Sequence, residues 1–328
     1  IYLCASIILK WDALESASNK DISYLNKVFS DTVRLTLDQY ETTLDVTGKR
    51  LAASISKGKQ DALVHTLDDI LDDNAQLAGF GYFDVDGNMI VGDSNIDKMQ
   101  MPNLLKFEKS RDTFKAALES SNLIPGLTYY FDQVDSWIIP IRKSIHVNGQ
   151  LSGVMTAGLL PDKLVPDLQK METLDETKKY IFVLIHDDTY ITSFTSGFDD
   201  KEAIKKQYET PYPDELVDIH ISMVKKLSGL SLDEFRRGEH SINYIAPDEG
   251  WNLQFVSVTY IAKYRMWSVV TLGLFDLLPE LVISALIYAI TFIAVFVIIY
   301  LLFRRNYRSI ENNQNTLLYQ ACHDPMTG

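Results

Sequence analysis

The chain has 328 residues, a formal net charge of −13 and a pI near 4.9. Nucleic-acid binding draws its affinity from clustered Lys and Arg that release counterions, so this acidic balance excludes nucleic acid as a partner class. Both cysteines, Cys4 and Cys322, lie near the ends. The long region between them therefore folds without disulfides and relies on packing, which its size permits.

In chain order, residues 1–10 are apolar up to Lys10-Trp11-Asp12, which reads as an interfacial edge. The economical expectation is the end of a first transmembrane helix; a signal-peptide remnant is the alternative. Residues 21–55 carry Ile22, Leu25, Phe29, Val33, Leu37, Tyr40, Leu44, Leu51 and Ile55 at three- and four-residue spacing, lapsing around Thr47-Gly48. This predicts a helix too long to stand alone, lying against something along its length. A second helix is expected over 60–75, with Leu63, Leu67, Ile70 and Leu71 on one face.

The period then shortens to strands. Gly79–Asp84 leads through Val85-Asp86-Gly87-Asn88 into Met89-Ile90-Val91, and Asp-Gly between two β-prone runs predicts a hairpin. Asp84, Asp86 and Asn88 suggest a calcium loop at first sight. That loop would need Gly at Met89 and Glu at Asn95, so a turn is expected instead. The layout recurs where Tyr180–Ile185 meets His186-Asp187-Asp188 and then Thr189-Tyr190-Ile191. Each hairpin precedes a polar helical stretch and three β-like runs: 127–131, 137–145 and 150–157 in the first set, 240–245, 251–260 and 266–272 in the second. The expected fold is α+β, a long N-terminal helix carrying two antiparallel-sheet lobes at about 76–165 and 175–272.

Leu281–Phe303 has no charge, Gly or Pro. As a helix it spans ~35 Å against a ~30 Å hydrocarbon core, so residues 277–303 are expected to cross a membrane. Asp276 and Glu280 precede the span, whereas Arg304, Arg305 and Arg308 follow it. Basic residues stay on the cytoplasmic side, which puts residues 11–275 outside and the linker 304–322 inside. The six histidines, at 65, 146, 186, 220, 240 and 323, show no HxH or HxxxH spacing, so no metal site is expected. With no nucleophile–base set or Gly-rich phosphate loop legible either, no active site and no cofactor are expected within the chain.

Two resemblances sharpen this reading. The external region, about 20–275, resembles a double Cache domain, a sensor of bacterial receptors built from PAS-like lobes. The likeness rests on the long first helix, the aromatic strand ending in Asp84-Val85-Asp86-Gly87-Asn88, the strand Ile138-Ile139-Pro140-Ile141-Arg142, and Trp267-Ser268-Val269-Val270 running into the membrane helix. The terminal His323-Asp324-Pro325-Met326-Thr327-Gly328, after Leu318 and Ala321, resembles the opening of a GGDEF domain, with Met where that family usually has Leu. Together they imply a homodimeric, multi-pass protein of the bacterial inner membrane with a periplasmic sensor. They also imply a diguanylate cyclase that joins two GTP into cyclic di-GMP, with Mg serving the cyclase domain. A GGDEF–EAL phosphodiesterase and a non-enzymatic receptor are the alternatives.

The double Cache resemblance also implies a ligand pocket in the first lobe. Family members carry Arg-x-Trp-Tyr-x-x-Ala there; this chain has Arg111-Asp112-Thr113-Phe114-Lys115-Ala116-Ala117. Arg111 would pair with a ligand carboxylate, and Phe114, Tyr129, Tyr130 and Trp137 would wall the pocket. Amino-acid binders place an Asp just after the last strand of that lobe. Thr156-Ala157-Gly158-Leu159 offers none and Asp162 comes late, which favours a plain carboxylate as the small-molecule ligand. Read as residues alone, Arg111 is equally a surface position and Phe114 a core one.

Overall fold

A computed structural model describes residues 2–55, 61–165, 178–186, 190–195, 200–238 and 240–322. The Asp187-Asp188 turn and the terminal hexamer 323–328 lie outside the described residues. The chain forms two compact units, Ser18–Asp276 and a second made of Ile1–Ala17 with Leu277–Gly328.

Helix α1 (Tyr2–Ile55) runs without a break, through the expected lapse at Thr47-Gly48. The lapse marks a close approach. A methyl built on Gly48 would lie 2.5 Å from Ile145 Cγ1 and closer still to its Cδ1, so only a bare Cα lets the helix touch the sheet there. The apolar stripe from Ile22 to Leu51 is buried. Helix α2 (Asp61–Asp72) follows.

In the first lobe, β1 (Leu77–Phe83), β2 (Met89–Gly92), β3 (Ile124–Pro125), β4 (Tyr129–Phe131), β5 (Ser136–Val147) and β6 (Gln150–Leu159) form an antiparallel sheet in the order β2-β1-β6-β5-β3, with β4 also on β5. Helix α3 (Glu108–Glu119) covers one face. The expected hairpin is present. Gly87 has φ +81°, Asp84 Oδ1 accepts from the Asn88 amide at 2.8 Å, and the Asn103 side chain donates to Asp86 O at 2.8 Å. Its polar groups close the turn on itself.

The second lobe holds β7 (Tyr180–His186), β8 (Tyr190–Phe194), β9 (Ser241–Pro247), β10 (Leu253–Ile261) and β11 (Met266–Gly273), in the order β8-β7-β11-β10-β9. Helices α4 (Lys201–Glu209), α5 (Asp214–Ser228) and α6 (Leu232–Arg237) lie between β8 and β9 in sequence. Strand parity divides this sheet cleanly. Phe182, Ser257, Ser268 and Val270 face α1, where Phe29 meets Phe182 edge-on at 5.3 Å. There the buried Asn26 donates to Ser257 Oγ (3.2 Å) and Thr259 Oγ1 (3.1 Å) and accepts from Ser268 Oγ (2.6 Å).

One carboxylate of α1 serves both lobes. Glu41 Oε1 accepts from Lys143 Nζ (2.8 Å) and the Leu123 amide (3.1 Å), both of the first lobe, and Oε2 pairs with Lys263 of the second at 2.7 Å. Asp38 beside it accepts from Lys263 and from the Tyr264 hydroxyl, each at 2.6 Å.

In the other unit, α7 (Leu278–Cys322) takes the apolar segment and the linker 304–322 as one continuous helix. Its side chains from Val282 to Phe303 stand largely exposed, and it is the one helix among the described residues long and apolar enough to cross a membrane. Within this unit Lys10 Nζ pairs with Glu280 at 2.7 Å.

Candidate functional site

The first lobe contains the five residues singled out above, and its fold disperses them. Arg111 points outward from α3, 47 % exposed, and pairs with its neighbour Asp112 at 3.1 Å. Phe114, on the inner side of the same helix, is fully buried and meets Phe83 edge-on at 6.3 Å. Tyr130 and Trp137 are cross-strand partners whose rings lie 5.6 Å apart, and Trp137 leans on Tyr208 of the second lobe at 5.0 Å. Tyr129 lines a small void of about 30 Å³, with Phe80, Ile96 and Ile138 also on its walls. The sheet face there carries Gly79 and Gly81, but Ile96 and Met89 sit down onto these glycines and fill the space.

Two neighbouring cations of β5 are buried in this lobe, Lys143 on Glu41 and the fully enclosed Arg142. Arg142 projects from β5 on the face toward α3, donating from Nη1 to Thr113 Oγ1 (2.6 Å) and from Nη2 to Ser110 Oγ (2.7 Å). Its Nε has no partner and no carboxylate faces it among the described residues, so burial depresses its pKa to about 10. An Arg in the alternating run Ser136–Ile145, on the parity of Ile138 and Pro140, is the sequence signal that would have found it.

An open space lies in the second lobe, on the sheet face away from α1. The parity that turns Phe182 and Ser268 toward the helix turns Ile181, Val183 and Ile185 of β7, and Trp267, Val269 and Thr271 of β11, the other way. Helix α5 covers this face. Asp214 and Glu215 in its first turn and Lys225 and Lys226 in its last suit the helix dipole, and Gly229 ends it in the left-handed conformation at φ +70°. Val217, His220, Ile221 and Val224 recur at three- and four-residue spacing and point at the sheet. Between helix and sheet remains a cavity of about 380 Å³.

Its walls are mostly apolar. Inside, His220 Nδ1 and the Tyr244 hydroxyl lie 2.9 Å apart. Burial holds the imidazole pKa below its ordinary 6.5 and pushes the Tyr244 phenol up. The Tyr212 ring sits 6.1 Å from His220, its phenol raised to about 12 by burial and by Glu249 and Asp248. Three charged residues, Lys179, Asp248 and Glu249, reach the edge. Asp248 is engaged in its own turn, accepting from the amides of Gly250 and Asn252 at 2.8 Å each. Spacing rules did not disclose this site, because His220 and Tyr244 come from a helix and a strand that meet only in the fold. No group of three or more potential metal ligands occurs among the described residues.

No family model and no curated protein matches the chain. Solved structures do. The extracellular domain of the histidine kinase candidate rpHK1S-Z16 superposes with a TM-score of 0.55 at 13 % identity, over 80 % of this chain and 97 % of that one. The ligand-binding domain of the Pseudomonas fluorescens chemoreceptor CtaA, in complex with L-isoleucine, gives 0.53 at 13 % identity, over 83 % and 98 %. That of the Pseudomonas aeruginosa PAO1 amino acid chemoreceptor PctB, with L-Gln, gives 0.50 at 13 % identity, over 77 % and 89 %. At such identities the likeness is one of fold: a long helix bearing two antiparallel-sheet lobes, shared with extracellular ligand-binding domains of receptors.

Proposed function

We propose that this chain is the extracytoplasmic sensing and membrane-anchoring part of a signalling protein, and that its small-molecule ligand binds in the second lobe. The observation that carries this is the space itself: about 380 Å³ in the second lobe, lined mostly by apolar side chains. A pre-formed, mostly apolar concavity with a few convergent polar groups is the usual form of a ligand site. The fold shared with extracellular receptor domains supports a sensory role.

In this reading α7 crosses the membrane, with Arg304, Arg305 and Arg308 on the cytoplasmic side, and α1 begins at the end of a first span. The output is cyclic di-GMP synthesis by a GGDEF domain opening at His323, working as a dimer. Support for that step is the terminal hexamer and the short linker before it. Ligand binding biases one of two arrangements of the linker helix.

The test is a small-molecule screen by thermal stabilisation, run on the chain and on Val269→Phe, which fills the cavity from β11. Hits should stabilise the first and not the second. Hits that stabilise both equally bind elsewhere and defeat the assignment. Alkaline phosphatase fused after Gln254 should be active and after Tyr307 inactive; the reverse pattern defeats the topology.

A further inference from the structure

We infer that the second-lobe cavity takes an uncharged, hydrocarbon-rich molecule carrying one hydrogen-bonding group, and not an amino acid, a carboxylate or an amine. This rests on the proposal that the cavity is the ligand site, and it goes beyond it by naming the chemistry the walls accept.

The polarity of the walls decides the class of occupant. Taking a carboxylate or ammonium out of water is tolerated only against an opposite charge or a full set of hydrogen bonds. Among the described residues, every charged group lining the cavity lies at its edge: Lys179 and Glu249 are exposed, and Asp248 is half-buried. The Asp248 carboxylate is committed to the Gly250 and Asn252 amides. The buried Arg142 and Lys143 belong to the other lobe, and Arg236 of α6, which does not line the cavity, is engaged over the Tyr260 and Trp267 rings at 5.6 and 5.8 Å. Deeper in, the sheet presents Val183, Ile185, Val258, Trp267 and Val269, and α5 presents Val217, Ile221 and Val224. Against these walls stands the His220–Tyr244 pair, 2.9 Å apart. Burial disfavours the charged imidazole, and in its neutral form the hydrogen-bonded pair offers a donor and an acceptor. Thr271 and Gln254 add further uncharged polar groups.

Size agrees. At ~30 Å³ per water the cavity equals about a dozen water volumes, which suits a molecule of about that many non-hydrogen atoms. Trp267 and Tyr244 both line the cavity from the sheet face, so an aromatic ring suits these walls.

The test uses the whole chain in lipid nanodiscs, titrated calorimetrically against empty discs, with four probes sharing one ring: indole, tryptamine, indole-3-acetate and L-tryptophan. Indole is expected to bind at least about tenfold more tightly than each charged relative. Tyr244→Phe should weaken indole by about tenfold while leaving toluene unchanged. Val183→Trp and Val269→Phe, each first shown to keep the unliganded melting temperature within a few degrees, should abolish indole binding.

The outcomes separate the two claims. If a charged probe binds more tightly than indole and is lost in Val269→Phe, the cavity is the ligand site and the chemistry inferred here is wrong. If indole binding survives unchanged in both filled variants, the cavity assignment itself fails. Absence of indole binding at millimolar concentration overturns the inferred class as well, since an engineered apolar cavity of only ~150 Å³ takes up benzene.

Discussion

Asn26→Leu should cost the second lobe its grip on α1. The side chain is fully buried and makes three hydrogen bonds to hydroxyls of β10 and β11, at 3.2, 3.1 and 2.6 Å. Leu has a similar shape and satisfies none of them. Each lost bond is worth about 1 kcal/mol net, and each hydroxyl left buried without a partner raises the cost, so the loss is about 3–5 kcal/mol. Ser257 and Ser268 are fully buried; Thr259 is half-buried and recovers part of its share from water. For a unit of this size each kcal/mol lowers the melting temperature by about 2–4 °C, so the shift is on the order of 10 °C. The assay is thermal unfolding of the whole chain in nanodiscs, followed by tryptophan fluorescence. The control is the combination of Asn26→Leu with Ser257→Ala, Thr259→Val and Ser268→Ala, which removes the hydroxyls too and should recover most of the loss, because an apolar contact replaces an unsatisfied one. A loss below about 1 kcal/mol for Asn26→Leu, or no recovery in the combination, would refute the reasoning.

Three further expectations follow from the same geometry. Gly48→Ala should destabilise by about 1 kcal/mol, although Ala is the better helix former, because overpacking against the buried Ile145 outweighs a gain of ~1 kcal/mol; a stabilised variant would mean that helix and sheet do not touch there. For Glu41, burial raises the pKa, but hydrogen bonds from Lys143 and Lys263 outweigh it and hold the carboxyl below its ordinary 4.5. Its contribution is thus present above pH 4.5 and lost as pH falls through the lower folded value; Glu41→Gln should lower stability at neutral pH and flatten the acid limb of a melting-temperature profile, and an unchanged limb would count against it. Inserting one residue after Ser309 in α7 turns everything downstream by ~100°, whereas seven residues nearly restore the face. In cells carrying the full gene, cyclic di-GMP should change sharply with one residue and little with seven, and equal levels would exclude helical phase as the signal.

The two-lobed plan was legible because it rests on periods of two and about 3.6 that any local window contains. Ile22 to Leu51 keep a helical stripe over thirty positions, and each lobe repeats hairpin, helix and long strands in one order. Gly48 showed in the sequence only as a lapse, since what it touches is Ile145, far along the chain. The candidate site was less legible. Arg111 drew attention by its spacing to Phe114 and Ala117, yet the helix turns it to solvent, while the strand residue Arg142 goes inside. The space over Gly79 and Gly81 is taken by Ile96 and Met89, which come from later in the chain, and the second-lobe cavity depends on α5 standing off the sheet. Neither packing outcome has a local pattern from which to read it.

The division of labour on Glu41 has a mechanical consequence. One carboxylate oxygen is held by Lys143 and the Leu123 amide of the first lobe, the other by Lys263 of the second. The two oxygens are joined by a rigid plane, so any swivel that brings one nearer its lysine draws its twin away. The junction behaves like the beam of a balance: slack on one side appears as tension on the other. Glu41 is thus a place where a shift of one lobe on α1 should disturb a contact of the other, beside the direct contacts from Thr128 Oγ1 to Thr192 O (2.7 Å) and from Ser193 Oγ to Pro161 O (2.9 Å).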